Sequence, residues 1–129
     1  MTDFVVNAPD PESGTALLIV EDDQALRQML AWELSDLGYR VCATGSCREA
    51  LVAAGAIGFR LAVLDIDLPD GDGCRLAAEL VRTSPRLRVV LVSGRHGADR
   101  CGPGSPAVIA RLTKPVSAWR LDTILRGDR

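Results

Sequence analysis

The chain has 129 residues, 47% of them hydrophobic and 25% charged, with 15 basic against 17 acidic side chains and a formal net charge of -2. That is one domain's worth of chain with apolar content enough for a buried core, so whole-chain disorder is excluded. The small negative charge and scattered arginines give no nucleic-acid footprint, and no apolar run approaches the roughly 18 residues of a membrane helix.

Residues 1–14, rich in proline and acids, read as a flexible arm ahead of one domain over 15–129. The N-terminus, Met-Thr-Asp, has no basic region of the kind that opens a secretion signal. Ala16 to Val20 is a short apolar strand that stops on Glu21, Asp22 and Asp23. The helix after it carries Leu26, Met29, Leu30, Leu34 and Leu37 at spacings of one face, and Gly38 closes it. Arg40 to Ala43 is a second strand, and Thr44, Gly45 and Ser46 supply a turn and an N-cap for a helix holding Ala50, Leu51 and Ala54.

The third strand begins at Leu61 and ends on Asp65, an apolar run that should carry the aspartate out of the core to an exposed position. Asp67, Pro69, Asp70, Gly71, Asp72 and Gly73 then form a turn into a helix holding Leu76, Ala77, Leu80 and Val81. Leu87 to Val92 is the fourth strand, ending at Ser93 and Gly94. Residues 94–106 hold four glycines and two prolines, so the fourth helix is short or disordered. Ala107 to Leu112 is the fifth strand, leading to Thr113, Lys114 and Pro115 and a last helix with Leu121, Ile124 and Leu125.

Strict strand–helix alternation with short continuous strands implies α/β architecture, a doubly wound parallel sheet of flavodoxin-like order 2-1-3-4-5. Chemistry then gathers at the carboxyl ends of the strands, where Glu21, Asp22, Asp65, Asp67, Ser93 and Lys114 converge. Carboxylates about 4 Å apart repel by roughly 4 kcal/mol per pair at an effective dielectric of 20, so a cation must hold them. Oxygen-only ligands select a hard ion, Mg²⁺. Lys114 is the sole lysine among 15 basic residues, which marks a place that needs a compact ammonium. A metal, an ammonium, a hydroxyl and a nucleophilic carboxylate suit a phosphoryl group.

At these residues the chain resembles the receiver domain of two-component response regulators, over about 16–126. The elements are Glu21 and Asp22 after the first strand, Asp65 with Pro69 and Gly73, Ser93 with Gly94, and Lys114 with Pro115. The resemblance implies that Asp65 accepts a phosphoryl group from a histidine kinase or phosphotransfer protein. Asp22, Asp65 and the carbonyl of Asp67 would hold Mg²⁺, with Glu21 assisting through a water. Ser93 and Lys114 would contact the phosphoryl oxygens, and Lys114–Pro115 would be cis. A cytoplasmic phosphoacceptor rather than a turnover enzyme is implied, with an output partner not named by the sequence and homodimerisation open.

Two departures fall on the face through which most receivers signal: Arg111 stands where an aromatic residue is usual, and residues 94–106 replace a well-formed helix. The order Asp65, Asp67, Ser93, Lys114 also resembles haloacid-dehalogenase phosphatases, but there the second acidic pair follows the lysine. A degenerate receiver that binds partners without phosphorylation is the other alternative. Cys42, Cys47, Cys74 and Cys101 form no CxxC pair and share no ligand spacing with His96, so free thiols in a reducing cytoplasm are expected. Trp32 and Trp119 read as packing or partner surface.

Overall fold

The structure, a computed structural model, describes the backbone of residues 5–7 and the whole of 14–94 and 106–127. His96, Cys101 and most of the glycine- and proline-rich 94–106 segment lie outside the described residues. The strands are β1 (Val5–Asn7), β2 (Ala16–Val20), β3 (Arg40–Thr44), β4 (Leu61–Asp65), β5 (Asp67–Leu68), β6 (Gly71–Asp72), β7 (Arg88–Ser93) and β8 (Val108–Thr113). The helices are α1 (Gln24–Asp36), α2 (Cys47–Ala56), α3 (Gly73–Thr83) and α4 (Ala118–Gly127).

The main sheet runs β1-β3-β2-β4-β7-β8, and its five long strands are parallel in the order expected from the alternation. The sixth strand was not expected. Val5–Asn7, inside the segment read as an arm, pairs antiparallel with β3 in the register Val5 to Ala43 and Asn7 to Val41. Both sheet faces are buried, because β2 is apolar throughout and β4 is apolar up to Asp65, and they supply side chains alternately to two cores. One core holds Leu18, Leu64, Leu76, Leu80 and Leu91 beneath α2 and α3; the other holds Ile19, Leu34, Val63, Val90 and Leu121 beneath α1 and α4.

Helix α1 starts at Asp23, whose carboxylate accepts from the Leu26 N–H at 3.1 Å, and closes at Gly38 with φ 107°. Its inward stripe is narrower than its leucine pattern suggests. Leu30, Ala31 and Leu34 are buried, whereas Met29 and Leu37 are exposed. In α2 the buried residues are Ala50 and Ala53, with Leu51 turned outward. The uniform free-thiol expectation fails at Cys74, which is disulfide-bonded, while Cys42 and Cys47 are free. Burial pushes the thiols of Cys42 and Cys47 up to about 11, so neither is a reactive thiolate near neutral pH.

Candidate functional site

The site is built where β2, β4, β7 and β8 end together, and backbone bonds beyond the last ladder pairs fix its residues. The Glu21 N–H donates to the Thr44 carbonyl at 3.0 Å, the Ile66 N–H to Val92 at 2.8 Å, and the Lys114 N–H to Ser93 at 2.7 Å. Glu21, Asp65, Ser93 and Lys114 therefore spring from backbone held by a neighbouring strand. The Lys114–Pro115 bond is cis.

Carboxylate oxygens of Glu21, Asp22 and Asp65 lie within 4.8 Å of one another. Lys114 Nζ donates to Glu21 Oε1 at 2.8 Å and to Asp65 Oδ2 at 3.0 Å, so the ammonium bridges the two buried acids. Asp22, the third member, is exposed. Asp65 is only 3% exposed, against the expectation of an exposed strand end. The strand does end there, but the Asp65 carboxylate is buried and bonded by Lys114 Nζ. Its other oxygen, Oδ1, accepts from the Asp67 N–H at 2.9 Å.

Burial raises the Glu21 pKa above its ordinary value, since desolvation outweighs the bonds from Lys114 and the Asp23 N–H. For Lys114 the balance runs the other way. Partial burial works against its charge, but the bonds to Glu21 and Asp65 prevail and its pKa is raised. Ser93 ends β7 fully buried, and its Oγ has no hydrogen-bond partner. An orphaned hydroxyl at a strand end beside Asp65 and Lys114 is an acceptor or donor position that a ligand would satisfy.

The acidic loop after Asp65 divides by role. Asp67 and Asp72 pair in a two-stranded ladder, and Asp72 Oδ1 accepts from the Cys74 N–H at 2.7 Å, capping α3. A Cβ on Gly73 would overlap the Asp65 carbonyl oxygen and reach Ile66 Cα at 2.9 Å, so only glycine lets α3 start this close. Asp70 does more than shape a turn. Its two oxygens accept from the Cys47 and Arg48 N–H groups at 2.8 and 3.0 Å, capping α2 from a distant loop. Those bonds, that from Cys47 first, hold the Asp70 carboxyl below its ordinary pKa.

All six sequence-derived candidates, Glu21, Asp22, Asp65, Asp67, Ser93 and Lys114, thus sit at one sheet edge. Glu21 meets Lys114 directly, a contact not foreseen for it. Also unforeseen is a network at the other end of α4: Tyr39 Oη donates to buried Asp122 at 2.7 Å, Arg126 Nε to the same oxygen at 2.7 Å, and Arg126 to the Leu37 carbonyl. The spacing of Asp122 and Arg126, four apart on a helix, was its only sequence signal. Trp32 and Trp119 are 70% and 74% exposed, which removes the packing alternative.

Three carboxylates converging on one point, all oxygen donors, fit a hard divalent cation such as Mg²⁺. No described helix is long and apolar enough to cross a membrane.

Comparison with known proteins agrees with this geometry. The family described as the response regulator receiver domain matches residues 17–126. The transcriptional regulatory protein PmrA of Pectobacterium parmentieri is 35% identical over 86% of this chain and 50% of its own length. The chain thus spans about half of that relative. A CheY-like receiver domain protein of Methanospirillum hungatei superposes with a TM-score of 0.77 at 26% identity, over 90% of this chain and 94% of that one. TrrA of Thermotoga maritima, solved in complex with Mg(2+)-BeF, superposes at 0.76 and 23% identity over 88% and 97%. With its sheet order, its strand-end acids and its lysine all in place, the chain belongs to the response regulator receiver domain family.

Proposed function

We propose that Asp65 is the phosphoacceptor, taking a phosphoryl group from a phosphohistidine on a histidine kinase or phosphotransfer protein. The observation that carries this reading is the Lys114 ammonium bonded at once to Asp65 and Glu21 beside Asp22. In the transfer, a carboxylate oxygen of Asp65 forms a bond to phosphorus as the bond from phosphorus to the donor imidazole nitrogen breaks. The imidazole keeps the electron pair and takes a proton from solvent.

Asp22, Asp65 and the Asp67 carbonyl would hold Mg²⁺, with Glu21 assisting; bound there, the ion neutralises charge on the phosphoryl oxygens. Lys114 leaves Glu21 for the new oxygens, and Ser93 Oγ gains the partner it lacks. The added charge of about -1.5 to -2 pulls both side chains inward, which reorganises the ends of β7 and β8 as the output signal. The domain acts as a phosphoacceptor in a cytoplasmic relay, with self-dephosphorylation instead of substrate turnover. Cys74 is disulfide-bonded, and thiol titration of protein purified without reductant tests that bond.

Incubation with Mg²⁺ and a small phosphodonor, followed by intact mass, tests the acceptor. One phosphoryl adduct on the wild type and none on Asp65→Asn is expected. An undiminished adduct on Asp65→Asn, or none on the wild type, refutes it. Steady phosphate release from unrelated esters would favour the phosphatase alternative.

A further inference from the structure

We propose that Arg27 is a positioning residue for the cation site: by holding the Glu21 carbonyl it fixes the Glu21–Asp22 peptide and so sets where the Asp22 carboxylate stands. Half-buried Arg27 lies in the first turn of α1, and its Nη1 donates to the Glu21 carbonyl at 2.9 Å. The bond is to the main chain, so Arg27 acts on the acids through the backbone that carries them.

Three bonds bear on that turn. The Glu21 N–H donates to the Thr44 carbonyl at 3.0 Å, Glu21 Oε2 accepts from the Asp23 N–H at 3.0 Å, and the Glu21 carbonyl accepts from Arg27. A peptide unit is planar, so the bond at the carbonyl orients the whole unit that leads into Asp22. Asp22 is the exposed member of the three clustered acids, so the backbone beneath it, not packing around its side chain, sets its place. Mg²⁺ demands near-ideal octahedral geometry, and a small displacement of one carboxylate lowers its affinity.

Gly45 makes room for the guanidinium. A Cβ there would stand 2.6 Å from Arg27 Nη1 and 3.4 Å from its Cζ. Among the described glycines φ is positive at Gly14 and Gly38, so Gly45 serves for space and not for backbone freedom. The turn it belongs to is anchored, since the Gly45 N–H donates to Glu49 Oε1 at 2.7 Å and Thr44 Oγ1 to the Ile19 carbonyl at 2.9 Å. Arg27 thus ties the turn after β2 to the turn after β3.

Electrostatics alone predicts the opposite effect. A guanidinium beside the site repels a divalent cation, so removing only its charge would tighten Mg²⁺ binding. Loss of positioning weakens binding, and the direction of the change separates the two.

The proposal rests on the Mg²⁺ reading above, and its test is calorimetric titration of Mg²⁺ into the full chain. Removing a group that holds a metal ligand in place costs about 10–100-fold in affinity, so Arg27→Met is expected to bind Mg²⁺ about tenfold more weakly than the wild type. Arg27→Lys, which keeps a donor and the charge, should fall between them. Gly45→Ala retains Arg27 but displaces the movable end of its side chain, so it should weaken Mg²⁺ binding in the wild type and add nothing in Arg27→Met, whereas independent effects would add. An affinity of Arg27→Met equal to or above that of the wild type, unchanged affinity in Gly45→Ala, or a Gly45→Ala loss that adds in full to that of Arg27→Met overturns the proposal. Asp22→Asn measured alongside separates the two readings. Weakening by Asp22→Asn alone defeats only the positioning role, whereas a wild type that does not bind Mg²⁺, or an Asp22→Asn that binds it as tightly, defeats the Mg²⁺ reading with it.

Discussion

Replacing Lys114 with methionine keeps most of the side chain's bulk and removes the ammonium from a cluster of three carboxylates. Two bonds of 2.8 and 3.0 Å are lost, to Glu21 and Asp65, both buried. Breaking a fully buried pair costs about 3–5 kcal/mol, whereas exposed pairs contribute about 0.2–1 kcal/mol. Lys114 is 27% exposed, which places the loss between these limits, at about 2 kcal/mol near neutral pH. In urea that is a midpoint about 1 M lower at an ordinary denaturant slope. The loss depends on pH with a definite sign. Glu21 already has its folded pKa above the unfolded value near 4.5, so its folded form binds more protons and stability falls as pH rises. Removing Lys114 removes a group that lowers this pKa, so the folded pKa climbs further. The gap between variant and wild type should therefore be largest at neutral pH and shrink as pH approaches 4.5. Urea titrations at several pH values measure it. A variant as stable as the wild type at neutral pH, or a gap that widens on acidification, would refute this account of the cluster.

Gly73→Ala should lower stability by about 2 kcal/mol, read as a melting temperature about 8 °C lower, because the added methyl meets the Asp65 backbone and not a movable side chain. Asp70→Ala should cost about 1 kcal/mol through fraying of α2. Because the Asp70 pKa is lowered by folding, its contribution is present above 3.8 and fades as pH falls below it, so urea midpoints of variant and wild type should converge there. Tyr39→Phe removes the phenolic donor to buried Asp122, leaving that of Arg126, and should cost about 1–2 kcal/mol in the same assay. Mg²⁺ should raise the wild-type melting temperature in a concentration-dependent way, and Asp22→Asn should blunt that rise.

The parallel sheet was legible because its strands are short, mostly apolar runs ending on polar residues. Asp65 could be placed at a strand end from Leu61 to Leu64 alone. The same reasoning located Ser93 and Lys114, since each follows such a run. What could not be read was anything that depends on a surface built by distant chain. The ammonium bonded to the buried Asp65 carboxylate belongs to Lys114, 49 residues later. The cap that Asp70 provides to α2 spans 23 residues and leaves no local pattern. The pairing of Val5–Asn7 depends on the free edge of β3, which the arm's own composition does not reveal. Met29 and Leu37 look inward by spacing, yet from α1 the second core takes Leu30, Ala31 and Leu34, with partly buried Leu26 packed against it.

The antiparallel pairing of β1 gives the sheet two unlike margins. On one side the last strand is three residues long, too short a template to recruit another chain, and it runs against the parallel grain. On the other, β8 offers six residues and, among the described residues, bonds to β7 alone. Among the described residues, then, a strand added to this sheet finds its longer template at β8, so the two margins are unequal as sites of extension.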